Sequence, residues 1–360
     1  LHFRKLIYLL LLTSFLTLLS CSQNPEVIEH GIFAPNRLES VIGQDGVCSI
    51  DFDDKITLWT FADTILGEWK SEDKILSGLI KDDAVFMKMI PNSLAWTAKT
   101  DKKNIHNPEF NFILENGIVT PFIKNRKDED LMKHRLWAVD GIRIDDAVYV
   151  YYLHIYVPDP EKLLEFETLY AGLAKWEIPE GWSPGDPVDF KRVGKIFKNN
   201  PPAFGSTVVK KDGYIYTAGH YKGEGLSFPI KIARVETGKI ENSDDYTFLK
   251  SDGTWTGDIK KSDSFLGDVS GECSLNWNEY LKEYVIIYVR VFTGEIVLVR
   301  FKDFKDLSDA EKKVVYKIPG EVKGAMWHYS GKEIYSSGRS IFMIYINPDT
   351  YQPMLVEIKL

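Results

Sequence analysis

Two aspartates, Asp45 in the run GQDG and Asp63 in LWTFADT, are the residues best suited to chemistry. Paired carboxyls are what glycosidic bond cleavage needs. One, kept protonated by a raised pKa, gives its proton to the leaving oxygen; the other activates water or attacks the anomeric carbon. Asp140 in WAVDG and Glu272 in GECSLNWN sit in comparable polar runs. Crowded in one funnel with the first two, they would separate the pKa values, because neighbouring carboxylates do not all ionise cheaply. His220, His328, Asn92 and Asn276 are candidates for gripping sugar hydroxyls, and Trp59, Trp96, Trp137 and Trp277 offer ring faces for stacking. Each also has an ordinary structural use. Asp45 and Asp140 precede glycines and can hold turns, Asp63 can cap a loop, and Glu272 can anchor a strand start. The histidines fit loops or cores, and the tryptophans fit packing between sheets.

Other chemistries find less support. Asp51, Asp53 and Asp54 form a loose acidic group that could take calcium, but EF-hand spacing is missing and a solvated hairpin accounts for them better. No other cofactor is expected. The sequence has no CxxC or HExxH, and no GxGxxG, Walker or GxSxG motif. Its 44 Lys and Arg are outnumbered by 52 Asp and Glu, for a net charge of -8, and no basic block occurs. Binding to nucleic acid by phosphate neutralisation is therefore excluded as a main role. The expected partner is a polysaccharide or oligosaccharide, and the expected state is monomeric.

These residues must be positioned by β-strands. Runs such as ITLWTFAD, AVYVYYLHIYV, YIYTAGHY, YVIIYVRV and IFMIYI alternate or continue in β-branched and aromatic residues. Hairpin turns are expected at Asp53-Asp54-Lys55, Asp145-Asp146, Lys211-Asp212-Gly213 and Thr293-Gly294. Helical signal is sparse: one short helix or extended loop over 159–175, and a capped turn over 307–313. The strands fall into five comparable units starting near residues 43, 137, 203, 270 and 324. The predicted fold is all-β, a five-bladed β-propeller over 38–360, because no single unit buries both of its faces alone. A sandwich or two smaller β domains is the alternative.

Residues 1–20 read as a signal peptide, with Arg4 and Lys5 before an apolar run too short to span a bilayer comfortably. The run ends in Leu18-Leu19-Ser20-Cys21, which resembles the lipobox of bacterial lipoproteins. That resemblance implies acylation of Cys21, a membrane contact through the lipid only, and a polar tether over 21–37. Ser22, where an Asp would signal inner-membrane retention, points to the outer membrane or cell surface. Cys48 and Cys273 could pair in an oxidising envelope, or serve as small buried thiols.

The run IGQDGVCSIDFDDKITLWTFADTILG resembles the opening of the domain-of-unknown-function family 4185, with Ala62 where that family usually has Gly. MIPNSLAW (89–96), SGECSLNWNEYLKEYVIIYV (270–289) and MWHYSGKEIYSSGRSIFMIYINP (326–348) resemble later segments of it. In the last, the family's His-Pro-Glu core is replaced by His328-Tyr329, with Glu333 displaced. The resemblance implies a five-bladed propeller. Some members are assigned to glycoside hydrolase family 183, endo-acting on D-arabinan, and their essential carboxylates fall here on Asp45 and Asp63. The expected function is a membrane-anchored glycoside hydrolase; a non-catalytic carbohydrate-binding or scaffold lipoprotein is the alternative.

Overall fold

The computed structural model describes residues 25–35, 38, 40–71, 79–159, 165–324 and 326–360. Strands are the dominant element and helices are confined to short turns among the described residues, as the β-branched and aromatic runs require. Five sheets of four or five strands carry the architecture. Their innermost strands are Cys48–Asp51, His134–Ile144, Thr207–Lys211, Ser274–Asn278 and Tyr329–Ser337. Each falls within one of the expected units.

The sheets close a ring through polar contacts between neighbours. Thr60 Oγ1 donates to the Val139 carbonyl at 2.8 Å, and the Asp140 amide to the Gly205 carbonyl at 2.9 Å. Thr207 Oγ1 donates to the Leu275 carbonyl at 3.0 Å, and Cys273 bridges Gly331. Ser49 Oγ donates to the Ile334 carbonyl at 2.6 Å and joins the last sheet to the first. Apolar layers fill the space between sheets. Tyr151, Phe197, Phe204 and Phe248 pack between the second and third, and Tyr216, Leu275, Tyr288 and Phe304 between the third and fourth. Burying such side chains removes about 25 cal/mol of instability per Å² of apolar surface, so each sheet depends on its neighbours.

The segment Glu26–Ile32, read from sequence as part of a tether, is a strand. It pairs antiparallel with Gln352–Lys359 and forms the outer edge of the last sheet. Its partner lies at the far end of the chain, so no local turn signal marked it. The expected helix over 159–175 is also corrected: Glu167–Glu177 is a strand between Ala147–Tyr156 and Lys191–Lys198. Tyr170 through Ala174 are buried without alternation, and such a run imitates a buried helix in its spacing. Gly172 fits there because a Cβ would lie 2.4 Å from the Tyr152 ring. Residues 160–164 of that segment, and the whole of the expected signal peptide with Cys21, lie outside the described residues. Among the described residues no helix is long and apolar enough to cross a membrane.

One insertion positions the site. Val41–Gln44, Thr64–Trp69 and Ala84–Ile90 form a separate three-stranded sheet. The chain therefore passes three times between this sheet and the first, through Asp45, through Asp63 and through Asn92.

Candidate active site

The inner strands all start at one end of the ring axis, and the second strand of each sheet returns to that end. Residues just before an inner strand and just after a second strand therefore converge there. Asp45 and Glu272 are of the first kind, and Asp63 and His220 of the second. Irregular pairing adds others. The strand holding Asp140 shifts register between Ala138 and Gly141, and the strand of Tyr329 shifts before Lys332. Bulges of this kind re-aim side chains beside functional sites.

Asp45 and Asp63 are tied together by their backbones. The Asp45 amide donates to the Asp63 carbonyl at 3.1 Å, and the Ala62 amide to the Asp45 carbonyl at 3.0 Å. Gly46 makes this approach possible: its φ is +58°, and a Cβ on it would lie 2.5 Å from that of Ala62. The two carboxyls have different partners. Asp45 Oδ2 accepts from the hydroxyls of Tyr329 at 3.0 Å and Tyr351 at 2.8 Å, while its Oδ1 is buried with no hydrogen-bond partner. Asp63 Oδ1 accepts from Trp137 Nε1 at 2.9 Å, and its Oδ2 lies 3.8 Å from the Arg135 guanidinium.

This environment separates their protonation. Burial, then the charges of Asp63 and Glu272, raise the Asp45 carboxyl well above the ordinary range, and the tyrosine hydrogen bonds only partly oppose this. Burial also pushes Asp63 up, to about 6, against the Arg135 charge and the Trp137 hydrogen bond. Two close carboxyls share one negative charge more cheaply than two. Burial and the neighbouring charges thus favour the protonated form of Asp45, while Arg135 and Trp137 favour the charged form of Asp63.

Deeper on the axis, Lys332 is only 2% exposed. Its ammonium donates to the Cys48 sulfur. Burial alone would lower its pKa, but the facing groups Cys48, Glu272 and Asp140 raise it, so it stays charged. The Cys48 thiol is pushed up to about 12 by burial and is a neutral acceptor, so Glu272 and Asp140 supply the countercharge. Ser330, with φ at +61°, donates its hydroxyl to Glu272. A non-glycine residue in that region is a strained feature of the kind that clusters at functional sites. Cys48 and Cys273 are both free and buried.

The remaining sequence candidates divide. Trp137 and His220 join the cluster; His220 Nδ1 is buried without a partner, burial lowers its pKa and Glu272 opposes this. Asp140 lies at the axis with both oxygens occupied, accepting from the Gly141 and Val208 amides at 2.8 Å each. Asn276 bonds the Glu333 carboxyl lower on the axis, where burial pushes Glu333 up to about 7. Five candidates lie elsewhere. Asn92 spends its amide on the backbone of Ile123 and Leu136, bracing the first two sheets. Trp96 packs in the layer between those sheets. The His328 ring stands edge-on to Tyr345 and faces Asp349 and Lys317 rather than the carboxyls. Trp59 is fully buried, and Trp277 lies at the opposite end of its strand, beneath Lys211. The acidic hairpin is a turn, with Asp53 Oδ1 accepting from the Lys55 and Ile56 amides at 2.7 and 2.8 Å. Among the described residues no cluster has the composition of a metal site. Tyr329, Tyr351, Arg135 and Lys332 escaped the sequence reading. Arg135 and Lys332 left a trace, each as a cation inside an inner strand.

A closed ring of sheets with a carboxyl cluster at one end of its axis defines a β-propeller protein with an acidic funnel. The family model described as "Domain of unknown function (DUF4185)" matches residues 48–357, and the chain belongs to that family. No protein with a curated description matches it. Similar solved structures include a Bacteroides ovatus protein described provisionally as a hydrolase, with 14% identity, TM-score 0.64, and 91% of this chain and 93% of that chain covered. A family 117 glycoside hydrolase of Zobellia galactanivorans has 9% identity and TM-score 0.53, covering 93% and 90%. The GH43_1 enzyme of Xanthomonas citri has 12% identity and TM-score 0.50, covering 94% and 92%. At these identities the likeness establishes the fold.

Proposed function

We propose that this protein is a glycoside hydrolase acting on a polysaccharide, with Asp45 as general acid and Asp63 as its ionised counterpart. The observation that carries the proposal is a pair of buried carboxyls fixed to one another by their backbones and given different partners, tyrosine hydroxyls on Asp45 and the Arg135 guanidinium and Trp137 ring on Asp63. Asp45 gives its proton to the glycosidic oxygen as the bond from the anomeric carbon breaks. Asp63 supplies electrons at the anomeric carbon, directly or through a water it deprotonates, and the net reaction consumes one water. Arg135 and Trp137 hold Asp63 charged and aimed. The charge of Glu272 favours a protonated Asp45, Lys332 balances Glu272 and Asp140, and His220 offers a neutral nitrogen to a hydroxyl. Family membership and the glycoside hydrolases among the similar folds favour this reading. The Xanthomonas citri enzyme is described in complex with xylotriose, which supports an oligosaccharide as the ligand class.

Arabinan is the first substrate to test, on the resemblance of the GQDG and FADT segments. We further propose that the protein works at the bacterial envelope, held by a lipid on Cys21; palmitate labelling that is lost in Cys21→Ala tests this. The catalytic test incubates purified residues 22–360 with D-arabinan, L-arabinan and xylan and measures new reducing ends. Release from one of them, abolished in Asp63→Asn, supports the proposal. No release from any, or full activity in Asp63→Asn, overturns it.

A further inference from the structure

The funnel rim carries an aromatic cluster that no sequence pattern marked. Phe228, Phe292 and Trp327 come from loops of three successive sheets, all at the carboxyl end of the ring. Their ring centroids are 4.8 Å apart for Phe292 and Trp327, 6.0 Å for Phe228 and Phe292, and 6.4 Å for Phe228 and Trp327. The cluster is not core. Phe292 is 51% exposed, and the neighbouring Leu226 and Met326 are 77% and 40% exposed.

The scaffold holds these rings outward. Phe292 has φ at +65°, a conformation a bulky side chain rarely adopts. Its turn is closed by the Gly294 amide donating to the Arg290 carbonyl at 3.1 Å, and the Val291 amide donates to the Asp268 carbonyl at 2.9 Å. Arg290 in turn is clamped by Asp268, at 2.8 Å, and by Glu295, at 2.5 Å. Phe228 bridges Asp268 through its backbone. One acidic residue thus fixes both phenylalanine loops.

The cluster is continuous with the active site. Trp327 lies two residues before Tyr329, whose hydroxyl donates to Asp45. Two residues of chain reach at most about 7 Å. The funnel's carboxylates Asp63, Asp140 and Glu272 disfavour an anionic occupant. A neutral chain with apolar ring faces and hydroxylated edges suits both the aromatic rim and the acidic funnel. We propose that Phe228, Phe292 and Trp327 form a stacking subsite for a sugar unit of the substrate chain beyond the bond being cleaved. This rests on the hydrolase reading, and it implies a substrate longer than the unit seated between the two carboxyls.

The test separates binding from cleavage. Native affinity electrophoresis through gels containing D-arabinan, L-arabinan or xylan reads binding without turnover, using the Asp63→Asn chain with and without Trp327→Ala or Phe292→Ala. In parallel, kcat and KM are measured for the same two substitutions in the active chain, with thermal melts to show that each is folded. The expected result is retardation by at least one polysaccharide in Asp63→Asn that falls at least fivefold in the aromatic variants, with KM raised and kcat largely kept. Unchanged retardation and KM in both folded variants overturn the subsite while leaving the hydrolase reading intact. Absence of retardation and cleavage with every polysaccharide overturns both. Concentration-dependent dimerisation lost in Trp327→Ala, with unchanged polysaccharide binding, assigns the cluster to a second copy of the chain and overturns the subsite.

Discussion

The Asp45 amide donates to the carbonyl of Asp63 at 3.1 Å, so the spacing of the two carboxyls is set by paired backbone rather than by loop sway. Replacing either with Asn preserves shape and removes only the proton chemistry. Each variant is expected to lose activity by about two to four orders of magnitude, the usual worth of a positioned acid or base. Asp45→Asn should keep the thermal midpoint, because the amide is neutral like the protonated carboxyl it replaces and its oxygen still accepts from Tyr329 and Tyr351. Turnover and melting of the two variants check this together.

The pH profile should be a bell with movable sides. Its acid limb follows Asp63, which must be ionised and titrates at about 6. Arg135 lowers that value, so Arg135→Gln should shift the acid limb to higher pH. The alkaline limb follows Asp45, which must stay protonated. The tyrosine hydrogen bonds lower its pKa, so Tyr329→Phe with Tyr351→Phe should move that limb upward. Profiles of kcat/KM report these free-enzyme groups, and opposite movements would refute the assignment of roles.

Lys332 is a buried cation between Glu272 and Asp140, and its loss should be felt through them. Lys332→Met leaves two partly buried carboxyls without their countercharge. Breaking such a group typically costs about 3–5 kcal/mol. Urea denaturation should show that loss at pH 7 and a smaller one at pH 4.5, where Asp140, which titrates at about 6, is already neutral.

What could be read in the sequence followed physical range. The all-β class was legible because strand periodicity and hairpin turns are local; Asp212-Gly213, both at positive φ, lie in the turn their residue types announce. Asp45 and Asp63 were legible because their flanking motifs are local too. The closing strand Glu26–Ile32 was hidden because its partner is at the other end of the chain. The structure places Asn92 and His328 away from the carboxyls, because a polar residue just before a strand looks the same in sequence whether it faces a substrate or a neighbouring element of the fold. Trp96 misled in the same way, since ring count carries no direction. Tyr351 and Arg135 reach the carboxyls through ring closure, which no spacing records.

Glu333 should make stability fall as pH rises. Burial lifts its carboxyl from an ordinary 4.5 to about 7, and its Oε2 is buried without a hydrogen-bond partner. A carboxyl whose folded value is raised favours the folded state fully below its unfolded pKa and loses that contribution as pH climbs through the folded value. The window is therefore about 4.5 to 7. Glu333→Gln should flatten the decline across it, gaining up to about 3 kcal/mol over the parent at pH 8 relative to pH 4. Chemical denaturation at both pH values reads the difference.

The strand Glu26–Ile32 closes the ring from the N-terminal side, so its removal should act on the whole molecule. It is the outer strand of the last sheet, and its ladder to Gln352–Lys359 runs from the Glu26–Lys359 pair to the Ile32–Met354 pair. Without it, the last sheet exposes the edge of Gln352–Lys359, an unpaired row that invites association between copies. A chain starting at residue 33 should melt about 5 °C or more below one starting at residue 25, as expected for the loss of a few kcal/mol in a domain of this size. It should also aggregate on heating. Removing residues 1–24 alone should leave the midpoint unchanged, because the ladder begins at Glu26. Equal midpoints for the two truncations would show that the ring holds without its closing strand.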